Sequence, residues 1–223
     1  MPRCTTIPQS ASLTAQHKAL PSVAFTQGGL VLGITGGTGC GKTTLLTEIE
    51  KLGGLVLDCD AIYHDLLTRD DTLLNAIESR FPGVVEGGQL NRKKLGTIVF
   101  ADEQALLDLN AITHGAVKQE VLCKLESQPK LAAIDAIALF EGGLAELCHR
   151  TVAIVAPTED RVKRLMARDN IPEDYARSRI AAQHEESWFR ERCDEILENN
   201  GDLDSFRSKC LAFLTRLGIM EET

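Results

Sequence analysis

Residues 33–44 read GITGGTGCGKTT, and within them Gly36, Gly41, Lys42 and Thr43 fit the pattern GxxxxGK[ST]. An apolar run, Leu30–Thr35, precedes this stretch. Leu45, Ile49 and Leu52 follow it at i, i+4 and i+7. The first run reads as a buried parallel strand. The second reads as a helix reaching about Lys51 and ended by Gly53-Gly54. The glycine-rich stretch thus lies between a strand and a helix, the context in which it binds phosphate. Its glycines let successive backbone N–H groups turn inward as an anion nest, and the helix adds its positive end. Lys42 would reach the β- and γ-phosphates of ATP, and Thr43 would offer a hydroxyl to Mg²⁺. The expected nucleotide contacts are Gly37, Thr38, Gly39, Cys40, Gly41, Lys42, Thr43 and Thr44. Cys40, beside Lys42 and inward N–H groups, is either a thiol of lowered pKa or a small residue that fits the turn.

Outward from this loop the chain keeps alternating. Leu55–Leu57 reads as a second strand and completes a strand–helix–strand unit of about 30 residues. Residues 61–130 are helical in pattern. Leu73, Leu74, Ile77 and Phe81 fit one helix, Leu106, Leu109 and Ile112 another, and Val117, Val121 and Leu125 a third, with a loop at Pro82-Gly83 and Gly87-Gly88. Leu131–Ile134 and Thr151–Ala156 read as further strands. Pro157 stops the latter and leaves Thr158 as an N-cap. A long helical stretch runs from Pro172 to about Arg192, and Glu195–Leu197 reads as a short strand before a last helix. Strands alternating with helices predict an open parallel α/β sheet.

Composition narrows the function classes. The net charge of −8 argues against a nucleic-acid partner held through phosphates. No apolar run approaches the roughly 20 residues that span a membrane. Seven cysteines without CxxC spacing argue against a disulfide framework and for a reducing cytosol, and no protein partner is implied. Residues 1–29 carry no acidic residue and read as a flexible N-terminal extension, with a transit peptide or a start assigned too early as other readings.

A phosphotransferase also needs a group to take the proton of its acceptor. Asp58 and Asp60 close the second strand, and sites in parallel sheets gather at such carboxyl ends. Asp60 reads as the base or as a helix cap, and Asp58 as a contact to substrate or to Mg²⁺-bound water. The second strand is expected near the first, across from the γ-phosphate. His64 lies one helical turn beyond Asp60, within reach of it or of a substrate phosphate. Arg161, Arg164 and Arg168 share a helix face. No guanine-reading NKxD occurs, and EGGQ at 86–89 reads as a loop.

The segments GITGGTGCGKTT, LDCDAIYHDL, LNRKKLGTIVF, LNAITHGAV, IDAIALFEGGL, RLMARD, RIAAQ and ILENNG, in this order from Leu30 to about Leu217, resemble the dephospho-coenzyme A kinase family. The resemblance implies a parallel five-stranded P-loop kinase core over 30–223. It implies a helical acceptor lobe at 61–130 and a mobile helical lid at 158–192. The implied reaction moves the γ-phosphoryl of ATP to the 3′-hydroxyl of dephospho-CoA, with Asp60 as base and Mg²⁺ as cofactor. Arg164 and Arg168 would close over the phosphates, with Arg168 and Lys42 assisting transfer. By position Arg92 and Lys93 would meet a phosphate of the acceptor or form a solvated helix start, and Glu141 would lie near the site beyond the third strand. The resemblance puts His114 in the acceptor pocket, with a structural histidine as the other reading, and Asn199 would frame adenine or form an ordinary turn. Two departures fall in the acceptor region: His114-Gly115 stands where the family usually has His-Pro, and Ile137-Ala138-Leu139 where it has Pro-Leu-Leu. Another P-loop metabolite or nucleoside kinase is the alternative, and a nucleotide-binding regulator without turnover is a further one.

Overall fold

The computed structural model describes residues 29–127 and 129–220. The N-terminal extension therefore lies outside the described residues except for Gly29. The phosphate loop follows β1 (Leu30–Thr35) and leads into α1 (Lys42–Lys51) and β2 (Leu55–Asp58). The helical lobe comprises α2 (Cys59–Arg69), α3 (Asp71–Arg80), a hairpin of β3 (Val85–Glu86) and β4 (Gln89–Leu90), α4 (Arg92–Val99) and α5 (Glu103–Leu125). The core resumes with β5 (Leu131–Asp135) and β6 (Arg150–Val155). Then come α6 (Thr158–Asp169), α7 (Glu173–Ala181), α8 (Glu186–Arg192), β7 (Glu195–Glu198) and α9 (Leu203–Arg216).

Five parallel strands form the sheet in the order β2-β5-β1-β6-β7. The second strand, expected near the first, lies one strand away from it, with β5 between them. Burial explains the order. Four of the five β5 residues are buried, the small Ala132 and Ala133 among them, whereas β2 is only partly covered and suits an edge. The register sets Asp58 beside Asp135 on one side of β5 and Ile34 beside Asp135 on the other. One sheet face packs on α1 and α9 through Leu45, Ile49, Phe206 and Phe213. A second cluster joins the sheet to the lobe through Leu57, Ile77, Phe81, Val121 and Leu139.

Several local expectations change. The two helices drawn around Leu106–Ile112 and Val117–Leu125 are one helix of 23 residues, α5, which Gly115 does not break. The loop at Gly87-Gly88 is a hairpin turn with φ of 58° and 78°, left-handed values that glycine adopts without strain. Thr158 is the first helical residue rather than the cap, since Pro157 holds the N-cap position without a side-chain bond. Leu52 falls at the C-cap of α1 and is exposed, so it leaves the buried face. The stretch 172–192 splits into α7 and α8 around Ala182–Glu185.

An alanine Cβ at Gly115 would meet nothing within 4 Å, and the residue sits inside a helix. Gly115→Ala should therefore stabilise the protein by about 1 kcal/mol, the helix-interior difference between the two residues. Urea unfolding should show a higher midpoint at unchanged m-value. A lower midpoint would mean that α5 needs a break at this position.

Candidate active site

The loop from Gly36 to Gly41 turns through left-handed backbone at Gly36, Gly39 and Gly41, with φ of 131°, 79° and 96°. The N–H groups of Gly39, Gly41, Lys42 and Thr43 have no partner among the described residues. Three other expected donors are engaged. Cys40 N–H donates to the Gly37 carbonyl and Thr44 N–H to that of Gly41. Thr38 N–H donates to Gln183 Oε1. The anion nest is therefore narrower than the sequence suggested, because the first turn of α1 and the chain near Gln183 use part of it. The Lys42 ammonium donates to the Gly36 carbonyl at 3.3 Å. Burial pushes the Cys40 thiol pKa up, against the pull of Arg161 and Lys42, which removes the expectation of a lowered pKa.

Asp135 ends β5 beside this loop, and the sequence reading did not single it out. Its Oδ1 lies 3.7 Å from Lys42 Nζ, too far for a hydrogen bond, and is buried without a partner. Burial pushes the Asp135 carboxyl up to about 6; Lys42 pulls it down, while Asp58 and Asp60 push the same way as burial. The signal for it was a carboxylate at the end of an otherwise buried strand.

Asp58 is the N-cap of α2, its Oδ1 accepting from the N–H groups of Asp60 and Ala61 at 2.9 and 3.0 Å. Asp60 is then in the first helical turn, not on the strand. Of the two, it is Asp58 and not Asp60 that caps the helix. The exposed Asp60 side chain makes no hydrogen bond to the described residues. It borders a cavity of about 250 Å³ that Tyr63, Asn110, His114, Ile137 and Gly142 also line. His64 and Arg92 lie together, with Nη2 3.2 Å from Nδ1. Tyr63 and Asn110 are lining residues that spacing did not mark.

On the other side of the loop stand α6 and the segment after α7. Arg164 Nη1 donates to the Gly39 carbonyl at 3.2 Å, and its Nη2 to Asn199 Oδ1 at 3.3 Å. Asn199 Nδ2 in turn donates to the Cys40 carbonyl at 2.8 Å. Asn199 is buried with both ends of its amide engaged, on Arg164 and on the phosphate loop. Arg161, not Arg168, is the second guanidinium at the loop: its Nε donates to the Thr38 carbonyl at 3.0 Å. Arg168 pairs with its neighbour Asp169 at 2.6 Å and is exposed. Glu141, expected at the acceptor, holds His184 at 2.6 Å.

Residues 30–205 match a family model described as dephospho-CoA kinase. A dephospho-CoA kinase of Geobacillus kaustophilus is 33% identical over 199 residues, 86% of this chain and 99% of that protein. A crystal structure from Thermus thermophilus aligns with a TM-score of 0.73 at 32% identity, over 86% of this chain and 99% of that one. The dephospho-CoA kinase from Campylobacter jejuni aligns with a TM-score of 0.61 at 25% identity, over 85% and 98%. The family match runs from β1, through the phosphate loop and the acceptor lobe, past Asn199. The chain belongs to the dephospho-CoA kinase family.

Proposed function

We propose that this kinase phosphorylates the ribose 3′-hydroxyl of dephospho-CoA from ATP, with Asp60 as general base. One observation carries the assignment of the base: an unpaired carboxylate at the border of the acceptor cavity, on the helix that follows an edge strand of the sheet. The unpaired N–H groups of Gly39, Gly41, Lys42 and Thr43 would hold the donor phosphates. Lys42 would move from the Gly36 carbonyl to the γ-phosphoryl as charge develops there. Asp60 would accept the hydroxyl proton as the oxygen attacks, and ADP would leave with the former bridging oxygen. His64 and Arg92, already paired, would face a phosphate of the acceptor, with His114 lining its cavity. Arg164 would act through the loop it braces, and Arg168 would reach the phosphates only after leaving Asp169.

The residues present suit Mg²⁺. Among the described residues no three His, Cys, Asp or Glu are placed to hold a metal ion by themselves, but Mg²⁺ bound with substrate phosphates takes one or two protein oxygens and keeps its waters. The exposed Thr43 and the orphaned Asp135 oxygen supply such a pair. Bound there, the ion would neutralise charge between the β- and γ-phosphates. Six described cysteines are free, which supports a reducing, cytosolic setting. Among the described residues no helix is long and apolar enough to cross a membrane.

The product should be CoA, one per Mg-ATP consumed, with the new phosphate on the 3′ oxygen by mass spectrometry. Adenosine, adenylate and shikimate should be poor acceptors; a higher kcat/KM for any of them would overturn the acceptor assignment. Asp60→Asn should lower kcat by roughly 10²–10⁴-fold at unchanged ATP affinity. Loss of ATP binding with kcat kept would make Asp60 a nucleotide ligand instead.

Asp135 gives a linked prediction. Its carboxyl titrates near 6 in the fold against an ordinary 3.8. The native state then binds more protons than the unfolded chain between these values, so stability falls as pH rises through that window. Asp135→Asn should stabilise the nucleotide-free protein at pH 7.5 by at most about 3 kcal/mol, read as a higher melting temperature. It should change little near pH 4, and turnover should collapse. Equal melting temperatures at pH 7.5 would show that Lys42 fully compensates the charge.

A further inference from the structure

Thr38 is 8% exposed, so both its peptide N–H and its carbonyl need partners. The N–H donates to Gln183 Oε1 at 2.9 Å, and the carbonyl accepts from Arg161 Nε at 3.0 Å. Arg161 Nη2 donates to the same Gln183 oxygen at 2.8 Å and closes a ring of three hydrogen bonds. Arg161 stands on α6, and Gln183 lies in the break between α7 and α8. One residue of the phosphate loop is thus gripped on both its N–H and its carbonyl, in two successive peptides, by residues more than 120 positions away. A Cβ at Gly37 would lie 2.2 Å from Arg161 Nη2 and 2.9 Å from Gln183 Oε1. The bare glycine is what lets the ring close against the loop.

We propose that Gln183 and Arg161 are positioning residues for the donor nucleotide, which hold Thr38 out of the anion nest and fix the entry turn in its phosphate-ready shape. The inference rests on the donor-site assignment above. Two features of the side chains fit this role. A guanidinium free at the loop would be drawn onto the phosphates, but two of the Arg161 nitrogens are already engaged. The Gln183 amide accepts two hydrogen bonds without placing a negative charge where phosphates bind. The next residue anchors the break on its far side: His184 pairs with Glu141 and stacks on Trp188, with centroids 3.9 Å apart and planes at 3°. Gln183 is therefore held in place before nucleotide arrives, and preorganisation of this kind acts on binding.

Calorimetric titration of the full chain with Mg-ADP tests the ring without needing an acceptor. Gln183→Met keeps the length and removes the acceptor atom; Arg161→Met removes the opposite grip. Each should weaken ADP about tenfold, the effect of losing bonds of this strength. The KM for dephospho-CoA should stay within twofold, and the melting temperature should move by no more than a few degrees. The double variant should be no worse than the poorer single one, because either loss opens the ring. ADP affinities within twofold of wild type, additive losses, or a parallel rise in the acceptor KM would overturn the proposal. If Gln183→Met does not fold, Arg161→Met decides alone. A wild type that binds ADP but fails to phosphorylate dephospho-CoA would refute the acceptor reading and leave the ring standing.

Discussion

An anion nest works only while its N–H groups stay unpaired, and an unpaired donor shut away from water raises the free energy of the fold. The loop cannot hold its shape with those bonds, since making them would fill the site. Its shape comes from the other side of each peptide. Arg161 holds the carbonyl of Thr38, Arg164 that of Gly39, and Asn199 that of Cys40. A peptide is planar and trans, so a carbonyl drawn outward aims the N–H of the following residue the opposite way. Three consecutive carbonyls gripped from outside therefore orient the N–H groups of Gly39, Cys40 and Gly41. Of these, only Cys40 folds back onto its own turn. The bracing residues come from α6 and from the end of β7, so the donor site requires the β6–β7 side of the sheet as well as the loop itself.

Charge imposes a second constraint. The carboxyl ends of β2 and β5 gather Asp58, Asp60 and Asp135, with Lys42 as the cation beside them. Asp58 resolves its own charge by capping α2, where two N–H groups and the helix end favour it. Asp135 has no such outlet, and Lys42 at 3.7 Å compensates it incompletely. A fold selected for stability alone would place an apolar or amide side chain there. A carboxylate kept in such a position fits a site that waits for a cation and for phosphate. The arrangement is an instance of strain held at a functional site.

Much of this was legible because local chemistry fixed it. The strand–loop–helix unit, the glycine turns, the five strands and the lobe follow from apolar spacing and from Gly and Pro positions. What was not legible depends on which strand sits beside which. The second strand was expected near the first, but spacing alone could not put β5 between them, nor bring forward Asp135, whose neighbours come from three separate segments. Apolar spacing drew α5 as two helices, one on Leu106, Leu109 and Ile112 and one on Val117, Val121 and Leu125. Packing of Thr113, Val117 and Val121 carries the helix through instead. Among the arginines, periodicity put three on one face but could not say which point at the loop. Arg161 and Arg164 do, while Arg168, one turn further, finds Asp169 first. Gln183 was seen only as the end of the RIAAQ segment and given no role, as one amide in a helical stretch says nothing of a residue 145 positions earlier.

The same bracing bears on how the lid is attached. Helices α6 and α7 share a small core of their own, Val162, Leu165, Ala176 and Ile180. Arg177 ties α7 to Glu159 on α6. Their links to the phosphate loop are of another kind: the hydrogen bonds of Arg161, Arg164 and Gln183, with the neighbouring His184–Glu141 pair anchoring the break after α7. Exposing apolar surface to water costs roughly 25 cal/mol per Å². A protein–protein hydrogen bond exchanged for bonds to water costs only about 1 kcal/mol. A unit that keeps its apolar packing internal and its outward links polar can separate from the loop without exposing core. The helical acceptor lobe lacks this division, since its core is continuous with the sheet through Leu57, Ile134 and Leu139. Packing thus ties the helices of residues 59–125 to the strands that carry the carboxylates, and joins α6 and α7 to the loop through polar links.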